Sequence, residues 1–236
     1  MNRTDVIQSI IDKTDACSYL EIGVADGSNF HPIRARDKTA VDPAFGFRAR
    51  NRIRWSIKNR CNIRAKYHEQ PSDEYFKRIR PSQKFDVVFI DGLHTYQQSL
   101  RDVVNALNCL SQAGVIIMHD CNPANAAEAC PAENLEQAGK LNVPGWNGEW
   151  CGDVWKTICH LRSREPNLQV FVLDCDRGLG IVTRGNTEGL LNLTKDEIAA
   201  LTYEDLANDR KNLLNLKDES CFPEFLERLH PGKTSH

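Results

Sequence analysis

The chain has 236 residues, 41% of them hydrophobic and 26% charged, with a formal net charge of -2 and a pI near 6.4. That size and apolar content suit one large domain with an appendage, and so balanced a charge gives no global pull toward nucleic acid or an anionic membrane; partners must be argued locally. Nine cysteines without a CxxC pair, no signal-peptide apolar region and no apolar run near the roughly 18 residues of a membrane span argue for a cytoplasmic protein with reduced thiols, no structural zinc and no membrane partner.

In chain order, Val6, Ile7, Ile10 and Ile11 stand at helical spacing and predict a helix covering a sheet edge or a ligand mouth. Tyr19 to Gly27, YLEIGVADG, reads as a strand breaking into a glycine turn, with a helix expected from Ser28. Gly23 and Gly27 let backbone N–H groups approach a ligand without Cβ obstruction. The spacing is E-x-G-x-x-x-G, with Ala25 where a dinucleotide fingerprint needs its second glycine, which argues against NAD. Asp42 ends the next strand, where a carboxylate can accept both hydroxyls of a ribose.

From Ala44 to His68 there is no acid and there are eight basic side chains, Arg48, Arg50, Arg52, Arg54, Lys58, Arg60, Arg64 and Lys66. Arginines at every second position would share one face of a strand but spread around a helix, and the pattern leaves the two open. A solvated face is the simpler reading, an anion site for phosphate or nucleic acid the sharper one. A third strand is expected around Ile63 to Tyr67.

Phe85 to Ile90 and, after the turn signal Gly114, Val115 to Met118 read as buried parallel strands. Between them Leu100, Val103, Val104, Leu107 and Leu110 give a helix one apolar face. In such a βαβ unit the ligand crevice lies beyond the carboxyl ends of the strands, which here carry Asp91, Gly92 and His94, then His119, Asp120, Cys121 and Asn122. Read alone, the two aspartates serve equally as helix caps, and His94 as a residue hydrogen-bonded at a helix start.

Residues 122–152 turn polar and irregular, as a lid or substrate loop does, with Trp146 and Trp150 placed either to stack on an acceptor or to pin the loop. A helix over Asp153–Arg164 and strands over Leu168–Leu173 and Leu179–Val182 follow. Beyond Asn186, the capping box of Thr194 and Glu197 with Ile198, Leu201, Leu206, Leu213 and Leu214 predicts two short amphipathic helices. They either pack back on the domain or form a homo-oligomer contact.

The ordered set YLEIGVADG, Asp42 and FDVVFIDG resembles the class I S-adenosylmethionine-dependent methyltransferases over Ser18 to Thr183. The resemblance implies an α/β, Rossmann-like fold: a seven-stranded, mostly parallel sheet flanked by helices, its last strand antiparallel. It implies a methyltransferase domain over 1–186 followed by a helical extension over 187–236. It also implies a cofactor site of Glu21, Gly23, Gly27, Asp42 and Asp91, with Ser72 and Asp73 at the adenine. IDGLH followed by HDCNP is similar, more narrowly, to a metal-dependent O-methyltransferase group that includes antibiotic and sugar O-methyltransferases.

In that group acidic residues at these two strand ends bind Mg²⁺ and a histidine three positions after the first is the proposed base. The carry-over names Asp91, His119 and Asp120 for the metal and His94 for the base. His119 departs from the carboxylate usual at its position, and imidazole suits Zn²⁺, Fe²⁺, Mn²⁺ or Ni²⁺ better than Mg²⁺, so Mg²⁺ is the first expectation with the ion's identity open. The expected activity is methyl transfer from S-adenosylmethionine to a hydroxyl of a small molecule or saccharide, assisted by that metal. The alternatives are a nucleic-acid methyltransferase using the basic 48–66 stretch, or a non-catalytic cofactor-binding module.

Overall fold

The computed structural model describes residues 1–229, so the last seven positions of the extension expected over 187–236 lie outside the described residues. The chain forms two compact units, one of 1–92, 102–117 and the segment from Pro223, the other of 93–101 and 118–222.

The first unit begins with α1 (Arg3–Thr14), started by a reciprocal capping box between Asn2 and Asp5. Val6, Ile7 and Ile10 on its inner face are fully buried, each worth roughly 1.5–3 kcal/mol. The strands β1 (Ser18–Ile22), β2 (Asp37–Asp42), β3 (Lys66–Glu69), β4 (Phe85–Ile90) and β5 (Leu110–Met118) follow in the spatial order β3-β2-β1-β4-β5. β1 runs parallel to β2 and β4, with Leu20 opposite Thr39 on one side and Val88 on the other, and β2 runs parallel to β3.

Three local expectations change. No helix starts at Ser28, because residues 25–32 are turns and bends. Carbonyls in and just after this stretch are claimed from elsewhere: Lys38 Nζ donates to the Phe30 and Ile33 oxygens at 2.6 and 2.8 Å, and Asn59 and Asn62 both donate to that of His31. The basic stretch is helical over α2 (Ala49–Lys58) and then a 3₁₀ turn over Arg60–Arg64, which delays β3 to Lys66. Gly114 lies inside β5 rather than at a turn, and it has to be small there, since a Cβ would come 2.7 Å from Leu110 Cγ. α3 (Ser72–Arg78) follows β3, and α4 (Tyr96–Cys109) lies between β4 and β5.

The second unit holds α5 (Leu135–Lys140), α6 (Trp155–Arg164), β6 (Leu168–Leu173) and β7 (Leu179–Arg184), the last two antiparallel. α7 (Lys195–Ala200), started by the Thr194 and Glu197 capping box, α8 (Tyr203–Leu214) and β8 (Leu216–Lys217) complete it. β8 pairs in parallel with β6 through Val172 and Leu173, so among the described residues there are eight strands rather than seven, and the added one comes from the extension. Ile198, Leu206 and Leu214 of the extension are fully buried within the chain itself. α9 (Phe222–Arg228) ends the described chain, where Glu227 meets Lys13 at 2.8 Å. No helix among the described residues is long and apolar enough to cross a membrane.

Arg162 of α6 ties the extension down. Its guanidinium, nearly inaccessible to solvent, donates to the carbonyls of Asn212, Leu213, Glu188 and Gly189. Without it the buried Leu213 carbonyl loses this donor, and three carbonyls nearer the surface lose theirs. Arg162→Ala is therefore expected to lower stability by about 3 kcal/mol, read as a lower urea midpoint; an unchanged midpoint would show that the four carbonyls find other donors.

Candidate functional site

In the first unit the site is built where β1 ends. Gly23 takes φ +81°, and a Cβ there would lie 1.9 Å from the Asp91 carbonyl oxygen, so the turn after β1 and the residue after β4 touch backbone to backbone. Only glycine allows that approach. The Asp91 N–H donates to the Ile22 carbonyl at 2.8 Å, which fixes the same contact from the other side.

Asp42 holds the turn. Its Oδ2 accepts the Val24 and Ala25 N–H groups at 2.7 and 2.8 Å, and its Oδ1 accepts the Ala44 N–H at 2.8 Å. A carboxylate has about four lone-pair positions, so about one remains for a ligand hydroxyl. Ala25 sits in the left-handed region at φ 47°, a conformation unusual for a residue with a Cβ. The two N–H bonds to Asp42 flank it and hold it there. Gly27 has φ +77° and its Cα side faces the His31 ring. Ser72 and Asp73 open the first turn of α3, directly after β3.

Glu21 is completely buried and accepts from the Tyr19 hydroxyl and, at 2.9 Å, from Asn29 Nδ2. Burial, aided by the negative field of Asp91, pushes its carboxyl up to about 8, against the opposing pull of Tyr19, Lys38 and Asn29. Asp91 is different: Arg3, from the start of α1, donates to its Oδ2 at 2.9 Å. Burial thus holds the Glu21 carboxyl neutral, while Asp91 has a guanidinium in contact. Nothing in the sequence marks Arg3, 88 residues distant, as a partner of Asp91; only the helix that carries it is predictable.

The second unit carries its own cluster. His94 Nδ1 lies 2.7 Å from the Trp150 carbonyl oxygen, which can only accept, so Nδ1 carries the proton. The other nitrogen, Nε2, stands 3.2 Å from Asp120 Oδ2. For a neutral imidazole this sets a lone pair against a carboxylate, an arrangement that a proton or a cation between them resolves. His119 flanks the same oxygen, its Nδ1 at 3.1 Å, and its Nε2 reaches Asp176 at 3.3 Å. The Cys151 thiol donates to Asp120 Oδ1 at 3.3 Å, and burial, with Asp120 beside it, pushes that thiol far up, so it stays a donor.

Asp120 itself is almost wholly buried and has φ 59°. Such a backbone costs on the order of 1 kcal/mol for a residue with a Cβ and is held by its surroundings. Asp176 and Cys151 are the members of this cluster that sequence reasoning missed. Asp176 lies in the β6–β7 turn and Cys151 in the irregular stretch, and neither position has a pattern. Trp150 anchors rather than stacks on an acceptor: its indole N–H donates to the Cys130 carbonyl at 2.8 Å and its ring is buried with Cys130 and Ala138. Gly152, at φ +61°, leaves room for the His94 carbonyl, 1.8 Å from where a Cβ would stand.

The raised value of Glu21 has a definite sign. Its folded form stays neutral while the unfolded glutamate ionises from about 4.5, so its stabilising contribution is present below 4.5 and is lost as pH rises through about 8. Glu21→Gln is expected to remove that loss, so that the stability of the variant relative to the parent rises steadily between pH 5 and 8.5 in urea titrations. A constant difference across that range would place an ionised Glu21 in the folded protein.

Residues 20–121 match the family model described as a methyltransferase domain. No curated protein matches the sequence. Among solved structures, the fold is similar to the SAM-bound O-methyltransferase TomG of Streptomyces achromogenes, which is involved in tomaymycin synthesis, at 13% identity and a TM-score of 0.52, covering 78% of this chain and 80% of that one. It is similar also to the O-methyltransferase of Bacillus cereus in complex with SAH, at 14% identity and TM-score 0.51 over 77% and 80% of the two chains. The SAH-bound methyltransferase PaMTH1 of Podospora anserina gives 17% identity and TM-score 0.51 over 79% and 80%. The chain has the Rossmann-like class I methyltransferase fold, and residues 20–121 within it match the methyltransferase-domain model.

Proposed function

We propose that the protein transfers a methyl group from S-adenosylmethionine to a hydroxyl of a small molecule or saccharide, with a divalent cation assisting. The observation that carries the hydroxyl acceptor is the His94 and Asp120 pair, in which an imidazole oriented through Nδ1 by the Trp150 carbonyl presents Nε2 to a buried carboxylate at 3.2 Å. A proton taken up at Nε2 lands between ring and carboxylate, so the Asp120 charge stabilises the imidazolium as it forms.

The first unit fits the cofactor by shape and charge. The Gly23 turn bares backbone that a Cβ would cover, the last acceptor position of Asp42 suits a ribose hydroxyl, and Ser72 and Asp73 suit the adenine. Glu21 and Asp91 would face the cationic methionine end. When bound, S-adenosylmethionine supplies an activated methyl on a sulfonium, and the task left to the protein is alignment of donor and acceptor.

A divalent cation suits Asp120 with His119 beside it, and Asp91 is the further carboxylate that the family resemblance implies. It would supply Lewis-acid polarisation of the acceptor oxygen. Nitrogen donors flanking Asp120 favour Mn²⁺, Fe²⁺ or Zn²⁺ over Mg²⁺.

Isothermal titration with S-adenosylmethionine and S-adenosylhomocysteine is the direct test. Both are expected to bind, and Asp42→Ala, which releases the turn, to weaken both at least about tenfold. Absence of binding would overturn the methyltransferase reading. With a diol or sugar acceptor in hand, His94→Gln is expected to lower kcat on the order of 10²-fold with little change in cofactor affinity. EDTA is expected to abolish turnover and Mn²⁺ to restore it; full activity in EDTA would remove the cation and leave His94 and Asp120 as an unassisted base pair.

A further inference from the structure

The stretch of eight basic residues is placed by the structure in an unexpected way. α2 buries none of its residues, and all eight basic side chains of 48–66 are exposed. Trp55 turns inward and stacks on the ring of the fully buried His31 at 5.6 Å, and Arg52 lies over the Tyr67 ring at 3.8 Å. At about 100° per residue, Ile53 and Ile57 then fall about 160° round the helix from Trp55, on its outer pole. They are 64% and 79% exposed, and Ile63 on the following 3₁₀ turn is 68% exposed. Arg50, Arg54 and Lys58, at successive steps of four, form the stripe beside the two isoleucines. α1 and α6 point their apolar residues inward; α2 points two isoleucines at solvent with a basic flank.

We propose that α2 and the 3₁₀ turn after it dock the protein on an anionic lipid bilayer, with Ile53, Ile57 and Ile63 entering the acyl boundary and the flanking arginines and lysines lying at the headgroup phosphates. This departs from the sequence expectation of no membrane partner, and the reason is local. The net charge of the whole chain is near zero, but residues 44–68 contain no acid, and a helix with an aliphatic outer pole and a Lys/Arg flank has the design of an interfacial anchor.

Other occupants fit less well. A second copy of this surface would set eight uncompensated positive charges against eight more. A nucleic acid has use for the arginines but none for exposed isoleucines, and the aromatic rings on which bases would stack are spent internally, Phe47 and Trp55 on His31 and Phe45 on Phe47. Aliphatic side chains amid cations match a surface that is apolar below and anionic above.

The test is co-sedimentation of the full chain with phosphatidylcholine vesicles and with vesicles one-third phosphatidylserine. Binding is expected to be at least about tenfold stronger to the anionic vesicles and to weaken with added salt. Ile53→Ser with Ile57→Ser, and separately Arg50→Gln with Arg54→Gln, should each reduce it about fivefold or more. Both pairs are solvent-exposed, and circular dichroism melts matching the parent will show that the fold is kept. Failure to bind anionic vesicles, or binding that the isoleucine pair leaves unchanged, overturns the proposal. So does duplex or single-stranded nucleic acid binding more tightly than the vesicles with the isoleucine pair again without effect, which would assign the surface to phosphate backbones instead.

Discussion

A single carboxylate organises the turn on which the proposed cofactor site rests. Asp42 accepts three backbone N–H groups, from Val24, Ala25 and Ala44, and so holds both the turn after β1 and its own descent from β2. Hydrogen bonds to a charged acceptor are the stronger kind, roughly 1.5–3 kcal/mol each. That is enough to hold Ala25 in a left-handed conformation at φ 47° and to keep Gly23 pressed on the Asp91 carbonyl. The geometry of the strand ends follows from that one side chain, and its structural role stands apart from the ribose-binding role proposed for it.

A second hub does for the following loop what Asp42 does for the turn. Lys38 is fully buried in β2, and its ammonium donates to the Phe30 and Ile33 carbonyls and to Asn62 Oδ1 at 2.7 Å while lying 4.3 Å from the centre of the Phe30 ring. Desolvation draws its pKa down to about 7. With Asn59 and Asn62 it satisfies the carbonyls of a segment that would otherwise have to coil on itself. The loop is ordered without a helix, and the aromatic group of Phe30, His31, Phe47, Trp55 and Tyr67 packs around it. That packing is what turns α2 outward.

These hubs explain what the sequence revealed and what it hid. β1, β2 and β4 announce themselves because a buried parallel strand is a short β-branched run whatever surrounds it. α4 announces itself through Leu100, Val103 and Leu107, although Val104 of the expected face is 47% exposed and Leu110 opens β5 instead. The candidate site residues at strand ends follow from topology alone. The helix expected at Ser28 fails because the competition for its carbonyls comes from Lys38, Asn59 and Asn62, and no local pattern reports a distant donor. For the same reason Arg3, Cys151 and Asp176 went unseen: each reaches a site residue through space from a segment with no motif. The alternation of arginines in 48–54 could not separate strand from helix, since the apolar residues among them face a buried imidazole on one side and solvent on the other. The eighth strand, two residues long, is below any periodic signal.

The acids of the two units show how one kind of side chain is given different partners without a change of composition. Glu21 is surrounded by a hydroxyl and an amide and is denied a cation in contact, so burial dominates and the proton stays. Asp91, whose charge raises Glu21, has the Arg3 guanidinium in contact instead. Asp120 has two imidazoles at one oxygen and a thiol at the other. The thiol, held protonated, can only donate, so it spends one oxygen of Asp120 on a fixed bond and leaves the other to the ring nitrogens. A left-handed backbone at Asp120 makes this possible by turning the chain sharply after His119, so that adjacent residues present an imidazole and a carboxylate to the same point. Strain at Asp120 is therefore the cost of placing an imidazole and a carboxylate side by side, and the bond from the Cys151 thiol helps to hold it in place.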